Sequence, residues 1–207
     1  AKNIADAYHG MAHTVLSQGV HQENGTTEVK NVLIEVDNPM QNTYVPNRDM
    51  KLKWGLPVAY MIGELLWSGK GDNSLAYIAQ FSKFWNHLSE DGKTVNSAYG
   101  YIATKKFGFN QIDKMVEELK RDPNSRRCTL NINVPRTPGT PDICTTKDEW
   151  CTMYLQFALN DDKTKVDMTA VMRSNDIWFG FPTDYTYFLF IQYLVAKGLG
   201  LEVGSYT

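Results

Sequence analysis

The chain has few cysteines, no excess of either charge and no long apolar run, and each shortage removes a class of protein. Three cysteines at irregular spacing in 207 residues do not make a disulfide framework, so reduced thiols in a cytoplasmic compartment are expected. Against 21 Lys and Arg stand 23 Asp and Glu, a formal charge of −2, which provides no basic surface for direct nucleic-acid binding. No segment approaches the roughly 18 uninterrupted apolar residues of a membrane span. The opening AKNIADAYHG lacks a basic-then-apolar signal pattern, and a start at Ala1 instead of Met suggests trimming. No His lies near Cys151 in sequence, and the spacing of Cys144 and Cys151 matches no common zinc pattern, so no metal is expected.

What the chain does have is core-forming material: 43% hydrophobic and 12% aromatic residues, enough for one domain over 1–207. Ile4, Tyr8, Met11 and Val15 recur at helical spacing up to Gly19. The run from Glu28 to Val36 approaches period two and predicts a strand. Pro57 suits the first turn of a helix bearing Val58, Met61, Ile62, Leu65 and Leu66, ended by Gly69 and Gly71. Asn73 is placed to cap a further helix reaching Leu88, and another runs from Gln111 to Lys120. Cys128 to Val134, Met153 to Leu159 and Val166 to Met172 read as strands, the last two joined by the turn Asn160 to Lys163. Tyr185 to Lys197 is apolar enough for a buried helix ended by Gly198. Helices with interspersed strands and a late hairpin, without regular βαβ alternation, make the fold class α+β.

Some polar groups sit inside these apolar patterns. Glu64 lies within GELLW, where it points either into a cleft or onto a solvated helix face. Arg126 and Arg127 stand at the mouth of a strand; guanidinium forks match phosphate oxygens, and basic residues near a helix end also answer its dipole. Arg173 closes another strand before Ser174, Asn175 and Asp176, so three arginines and a hydroxyl can make an anion site. Cys151 opens a strand after a polar loop. With no general-base partner in sequence, it needs nearby positive charge to form a thiolate, which Arg173 can provide, or else it is structural.

In order and spacing, PNSRR, CTMYLQF and MRSNDIWFGFPTDY resemble the thymidylate synthase superfamily, with GELLW-SGKGDN and the AYG around Tyr99 matching its upstream elements. The likeness runs from about Val29 to Tyr206. Two departures resemble the deoxycytidylate hydroxymethylases of phages that modify their DNA: Thr152 follows Cys151 where thymidylate synthases usually carry His, and Asp184 stands where they carry Asn. The Asp has a physical rationale. Cytosine presents an N3 lone pair beside an N4 amino donor, and a carboxyl group accepts from N4 while sharing a proton with N3; ionised, it repels the O4 of uracil.

The resemblance implies a thymidylate synthase-like fold, a large mixed β-sheet packed by helices, with one sheet face forming a homodimer interface and strands apolar on both faces. It implies a single domain over 1–207, lacking the family's C-terminal part. It implies 5-hydroxymethylation of dCMP with 5,10-methylenetetrahydrofolate as cosubstrate and water, through a Cys151 adduct at C6, in the cytoplasm, or the host cytoplasm if phage-encoded. In that reading Cys151, Glu64, Tyr99 and Asp184 are catalytic, and Asp184 and Gln156 bind the base. Arg173 and Ser174 hold the phosphate, joined by Arg126 and Arg127 from the partner subunit. Asp176, Gly180 and Trp85 form the folate side. Three alternatives stay open: thymidylate synthesis from dUMP, hydroxymethylation of CMP, and a homologue that binds nucleotide without turnover.

Overall fold

The computed structural model describes residues 1–41, 57–133 and 145–207. Cys144 and the expected strand end at Val134 lie outside them. The chain opens with α1 (Ile4–Gln18), whose N-cap Asn3 accepts from the Asp6 amide and which stops at Gly19. A two-residue ribbon follows, β1 (Val20–His21) with β2 (Thr27–Glu28). The strand expected from Glu28 to Val36 does not form. Asn31 adopts a left-handed φ of 56°, which turns the chain and leaves Val32 and Leu33 in solvent. Of that run, Glu28 pairs in the short ribbon and Val36 bridges Tyr206.

Then come α2 (Pro57–Gly69), α3 (Leu75–Ile78), α4 (Trp85–Leu88), α5 (Tyr99–Thr104) and α6 (Gln111–Arg121). The single helix expected up to Leu88 is two separate turns, because the apolar residues between them do not share one face: Ile78 is buried and Phe84 is 60% exposed. Asn73 does not cap α3; Asp72 accepts from the Ser74 amide instead. The sheet strands β3 (Thr129–Asn131), β4 (Thr152–Leu159) and β5 (Lys165–Met172) alternate with turns as the sequence suggests. The last helix, α7 (Gly180–Leu199), starts before Tyr185 and runs through Gly198 to a left-handed Gly200. Gly198 packs against Val116 of α6, where a Cβ would come within 2.8 Å of a methyl carbon, so this glycine permits a helix contact and does not end the helix. The chain closes with β6 (Glu202–Tyr206).

The sheet has the order β3-β4-β5-β6, antiparallel except for the parallel β5–β6 pair, so it is mixed and the architecture is α+β. One face turns Leu130, Leu155, Phe157, Val166 and Met168 onto the helices, all 0–1% exposed. The other carries Thr129, Asn131, Tyr154, Gln156, Thr169 and Val171 in register. That outer face mixes polar with apolar side chains; the expectation of strands apolar on both faces fails here because hydroxyls and amides alternate with Tyr154 and Val171. Helix α7 is buried around most of its circumference and fills the centre of the helical layer. Where the β5–β6 register shifts between Val166 and Met168, the Gln192 amide of α7 donates to the carbonyls of Val166 (2.8 Å) and Ser205 (2.9 Å). This satisfies oxygens that a bulge removes from the ladder.

Helices α2 and α5 meet through Gly100, where a Cβ would stand inside the van der Waals shell of the Ser68 backbone. Only glycine allows this approach, which brings the N-terminus of α5 beside α2. Gly100→Ala should therefore destabilise the fold by about 1–3 kcal/mol through overpacking, lowering Tm by roughly 3–10 °C in a thermal melt. Gly10→Ala in α1, with open space around it, serves as the control and should leave Tm unchanged or slightly raised.

Candidate active site

Five elements converge at the start of β4. Cys151 lies just before that strand, and Arg173 just after β5 continues the ladder, its amide donating to the Cys151 carbonyl at 2.9 Å. The Arg173 guanidinium folds back over the same peptide. Its Nε donates to Trp150 O at 2.8 Å, and its Nη2 reaches Glu149 O at 3.2 Å and Cys151 Sγ at 3.7 Å. The arginine thus braces the loop holding the thiol and sets a positive charge beside it. Burial pushes the Cys151 thiol up, and Arg173 opposes that shift.

Tyr99, the first residue of α5, accepts a bond from the Thr152 amide at 3.4 Å, with its ring against Tyr187 and Phe188 of α7. Burial raises its hydroxyl well above the usual range, with Asp184 adding repulsion, so it stays protonated. The α5 end and the Cys151 loop are tied together. Asp148, 4% exposed, accepts from the Ser97 amide at 2.6 Å, and Trp150 Nε1 donates to Asn96 O at 3.3 Å.

Two carboxyls complete the cluster. Asp184, in the first turns of α7, has its carboxyl pushed up to about 7 by burial, then by the negative charge of Asp176; Asn175 Nδ2 donates to its Oδ2 at 3.3 Å and opposes the shift. Glu64, midway along α2, is pushed up to about 8 by burial, then by the charge of Asp184. Both are only partly accessible to solvent, as on the floor of a cleft. Of the two readings open for Glu64, the structure excludes the solvated helix face: the carboxyl is turned inward, where burial raises it and Tyr60 bonds to it. Tyr60, one turn earlier on the same face, donates to Glu64 Oε1 at 3.1 Å and accepts from Trp85 Nε1 at 3.3 Å. Trp85 thereby joins the cluster through a hydroxyl, its ring 5.7 Å from that of Trp67.

Asp176 caps α7, its carboxylate accepting from the amides of Trp178, Phe179 and Gly180 at 2.9–3.2 Å. Gly180 begins the helix between Asn175 and Asp184. Ser174 is exposed next to Arg173.

The remaining expected residues do not join this cluster. Gln156 lies five residues along β4 on the outer sheet face, about 16 Å from Cys151 at roughly 3.3 Å per residue. Arg126 and Arg127 precede β3, whose first residues flank Phe157, so they lie roughly 20 Å from Cys151 along β4. They line a separate cavity of about 460 Å³ with Arg121, Asp122, Asn124 and Ser125. No group of His, Cys, Asp or Glu able to hold a metal occurs among the described residues. Tyr60, Asn175 and Asp148 were not singled out by the sequence. Tyr60 had a signal, its i−4 spacing from Glu64.

A family model described as thymidylate synthase matches residues 6–207. The chain is 28% identical over 191 residues to a deoxyuridylate hydroxymethyltransferase of Bacillus phage SP01, covering 86% of this chain and 47% of that protein. It is 26% identical over 210 residues to one of Pseudomonas phage M6, covering 99% and 57%. Against a thymidylate synthase of Clostridium beijerinckii it is 31% identical over 150 residues, covering 70% and 52%. The chain spans about half the length of these relatives. Among solved structures, a thermostable thymidylate synthase A from Bacillus subtilis superposes with a TM-score of 0.71 at 22% identity, covering 99% of this chain and 76% of that one. The chain belongs to the thymidylate synthase family, and the expected fold is the one it has.

The two raised carboxyls set a pH dependence. The folded chain keeps protons on Glu64 and Asp184 where the unfolded chain, with carboxyls near 4.5 and 3.8, has lost them. Stability from these groups is therefore full below the unfolded values and declines as pH rises through about 7 and 8. Thermal melts across the linkage window, roughly pH 5 to 8, should show Tm falling with pH, and Glu64→Gln with Asp184→Asn should flatten that fall.

Proposed function

We propose that residues 1–207 form one thymidylate synthase-like domain that 5-hydroxymethylates dCMP in the cytoplasm, using water to complete the transfer. One observation carries this reading: the Asp184 carboxyl, raised by burial, lies within electrostatic reach of Cys151, Glu64 and Tyr99, where Arg173 stands 3.7 Å from the thiol and Tyr99 bonds the neighbouring Thr152 amide. In this reading 5,10-methylenetetrahydrofolate supplies the one-carbon unit. The residues fit such a cosubstrate: Phe84, Trp178 and Phe179, 45–60% exposed beside Trp85, Asp176 and Gly180, offer flat apolar surface for a fused ring.

Cys151 Sγ, as the thiolate that the Arg173 charge favours, adds to C6 of the pyrimidine and makes C5 nucleophilic. Asp184 accepts from N4 and shares a proton with N3, drawing electrons from the ring. Once C5 carries the one-carbon unit, Tyr99 or a water bound to it relays the departing C5 proton. Loss of tetrahydrofolate then leaves an exocyclic methylene. Glu64, able to give and take a proton near neutrality, holds a water and removes its proton as the oxygen bonds to that methylene. Elimination of Cys151 from C6 restores the ring and yields 5-hydroxymethyl-dCMP.

In this reading Arg173 and Ser174 hold the phosphate of the nucleotide. Arg126 and Arg127 are too far along β4 to reach it in their own chain, which supports a homodimer that lends them from the partner subunit across the outer sheet face. One finding favours a second reading, hydroxymethylation of dUMP. The phage relatives carry that name, and a neutral Asp184 can read uracil if its proton sits on the other oxygen.

The complete protein, given methylenetetrahydrofolate and dCMP, should yield 5-hydroxymethyl-dCMP and tetrahydrofolate without dihydrofolate, and dUMP in its place should yield little product. Dihydrofolate formed with dUMP would overturn the proposal. Cys151→Ala should cost at least about 10³-fold in kcat, and Asp184→Asn should move the preference toward dUMP by roughly 10²-fold or more.

A further inference from the structure

A protonated carboxyl is an ambiguous reader. One oxygen donates and the other accepts, and exchanging the two converts a complement of cytosine into a complement of uracil. A pocket relying on such a group needs something to decide which oxygen carries the proton. In this chain the neighbour able to do so is Asn175. Its Nδ2 lies 3.3 Å from Asp184 Oδ2 and 2.9 Å from Met172 Sδ. The Met172 thioether has no proton to give, so the nitrogen end of the amide faces this pair and presents a donor to Asp184 Oδ2.

The surroundings hold the pair in register. A Cβ at Gly180 would come within 2.9 Å of Asn175 Oδ1 and displace it, while only touching Asp184 Oδ2 at 3.6 Å. Asp176, adjacent in sequence, fastens the intervening segment through the amides of residues 178 to 180. The amide and the carboxyl thus come from the end of β5 and the start of α7, joined by a capped turn.

We propose that Asn175 is a specificity-determining residue: by donating to Oδ2 it keeps that oxygen an acceptor and confines the shared proton to Oδ1, so that Asp184 reads one pyrimidine edge and rejects the other. This rests on the proposal that Asp184 faces the base. With the proton confined, one base finds a donor and an acceptor in place, and the other meets donor against donor and acceptor against acceptor. Asn175 acts through Asp184 and is a positioning residue.

The test compares kcat/KM for dCMP and for dUMP in the complete protein and in Asn175→Ala. Asn175 is exposed, so the variant should keep its melting temperature. The ratio of the two constants should move toward unity by about 10-fold or more, through a gain or smaller loss on the disfavoured base. Gly180→Ala, which displaces the amide without deleting it, should narrow the ratio in the same direction. An unchanged ratio, with both constants falling equally or neither changing, overturns the role of Asn175. A wild-type preference for dUMP would instead reject the dCMP assignment and leave the Asn175 test intact, because that test reads the change in the ratio and not its sign.

Discussion

A carboxyl group removed from water beside a second carboxyl cannot ionise cheaply, and the site is organised around that cost. Desolvation raises both Glu64 and Asp184; the charge of Asp184 raises Glu64 further, and that of Asp176 raises Asp184. The cleft therefore holds acids that trade protons near neutrality, next to a thiol that needs one positive charge, from Arg173, to lose its own. Chemistry that adds and removes protons around a pyrimidine ring uses this inventory.

The fold maintains the arrangement at several distant points. The bare backbone contact at Gly100 brings α5 against α2, so Tyr99 and Glu64 approach the same space. Asp148 and Trp150 tie the Cys151 loop to the residues before Tyr99. The Asp176 cap starts α7 where Asp184 can reach the cleft. Gln192, far along α7, anchors that helix to the irregular β5–β6 pair. These contacts hold helices to strands at the places where functional side chains depart, which is how an α+β core of modest size keeps such groups in a defined geometry.

Local patterns made much of this legible. The α2 stripe from Val58 to Leu66, the β4–β5 hairpin and the apolar run of α7 are single-segment periodicities that tertiary packing reinforced. Cys151, Arg173, Glu64, Tyr99 and Asp184 were found through their ordered motifs, and the structure brings them together. The misses arose where packing decided. Nothing local announces that Asn31 turns left-handed, that α3 starts after Ser74 and not after Asn73, or that Gly198 faces Val116 inside a continuing helix. Gln156 sits in a recognisable motif, but a strand's rise carries it to the other face and away from the thiol. Asp148 and Asn175 matter through partners 51 and nine residues away in sequence, which composition cannot show.

Covalent trapping tests the central claim, a carboxyl reading the base edge while Cys151 captures the ring, most directly. Fluorine at C5 cannot leave as a cation, so a 5-fluoropyrimidine nucleotide stays attached once the one-carbon unit has been transferred. The complete protein is mixed with methylenetetrahydrofolate and equal amounts of 5-fluoro-dCMP and 5-fluoro-dUMP, then digested for mass spectrometry. The Cys151 peptide is expected to carry the mass of the cytosine analogue. The uracil analogue in its place, or label on Cys128 with Cys151 bare, would contradict the assignment.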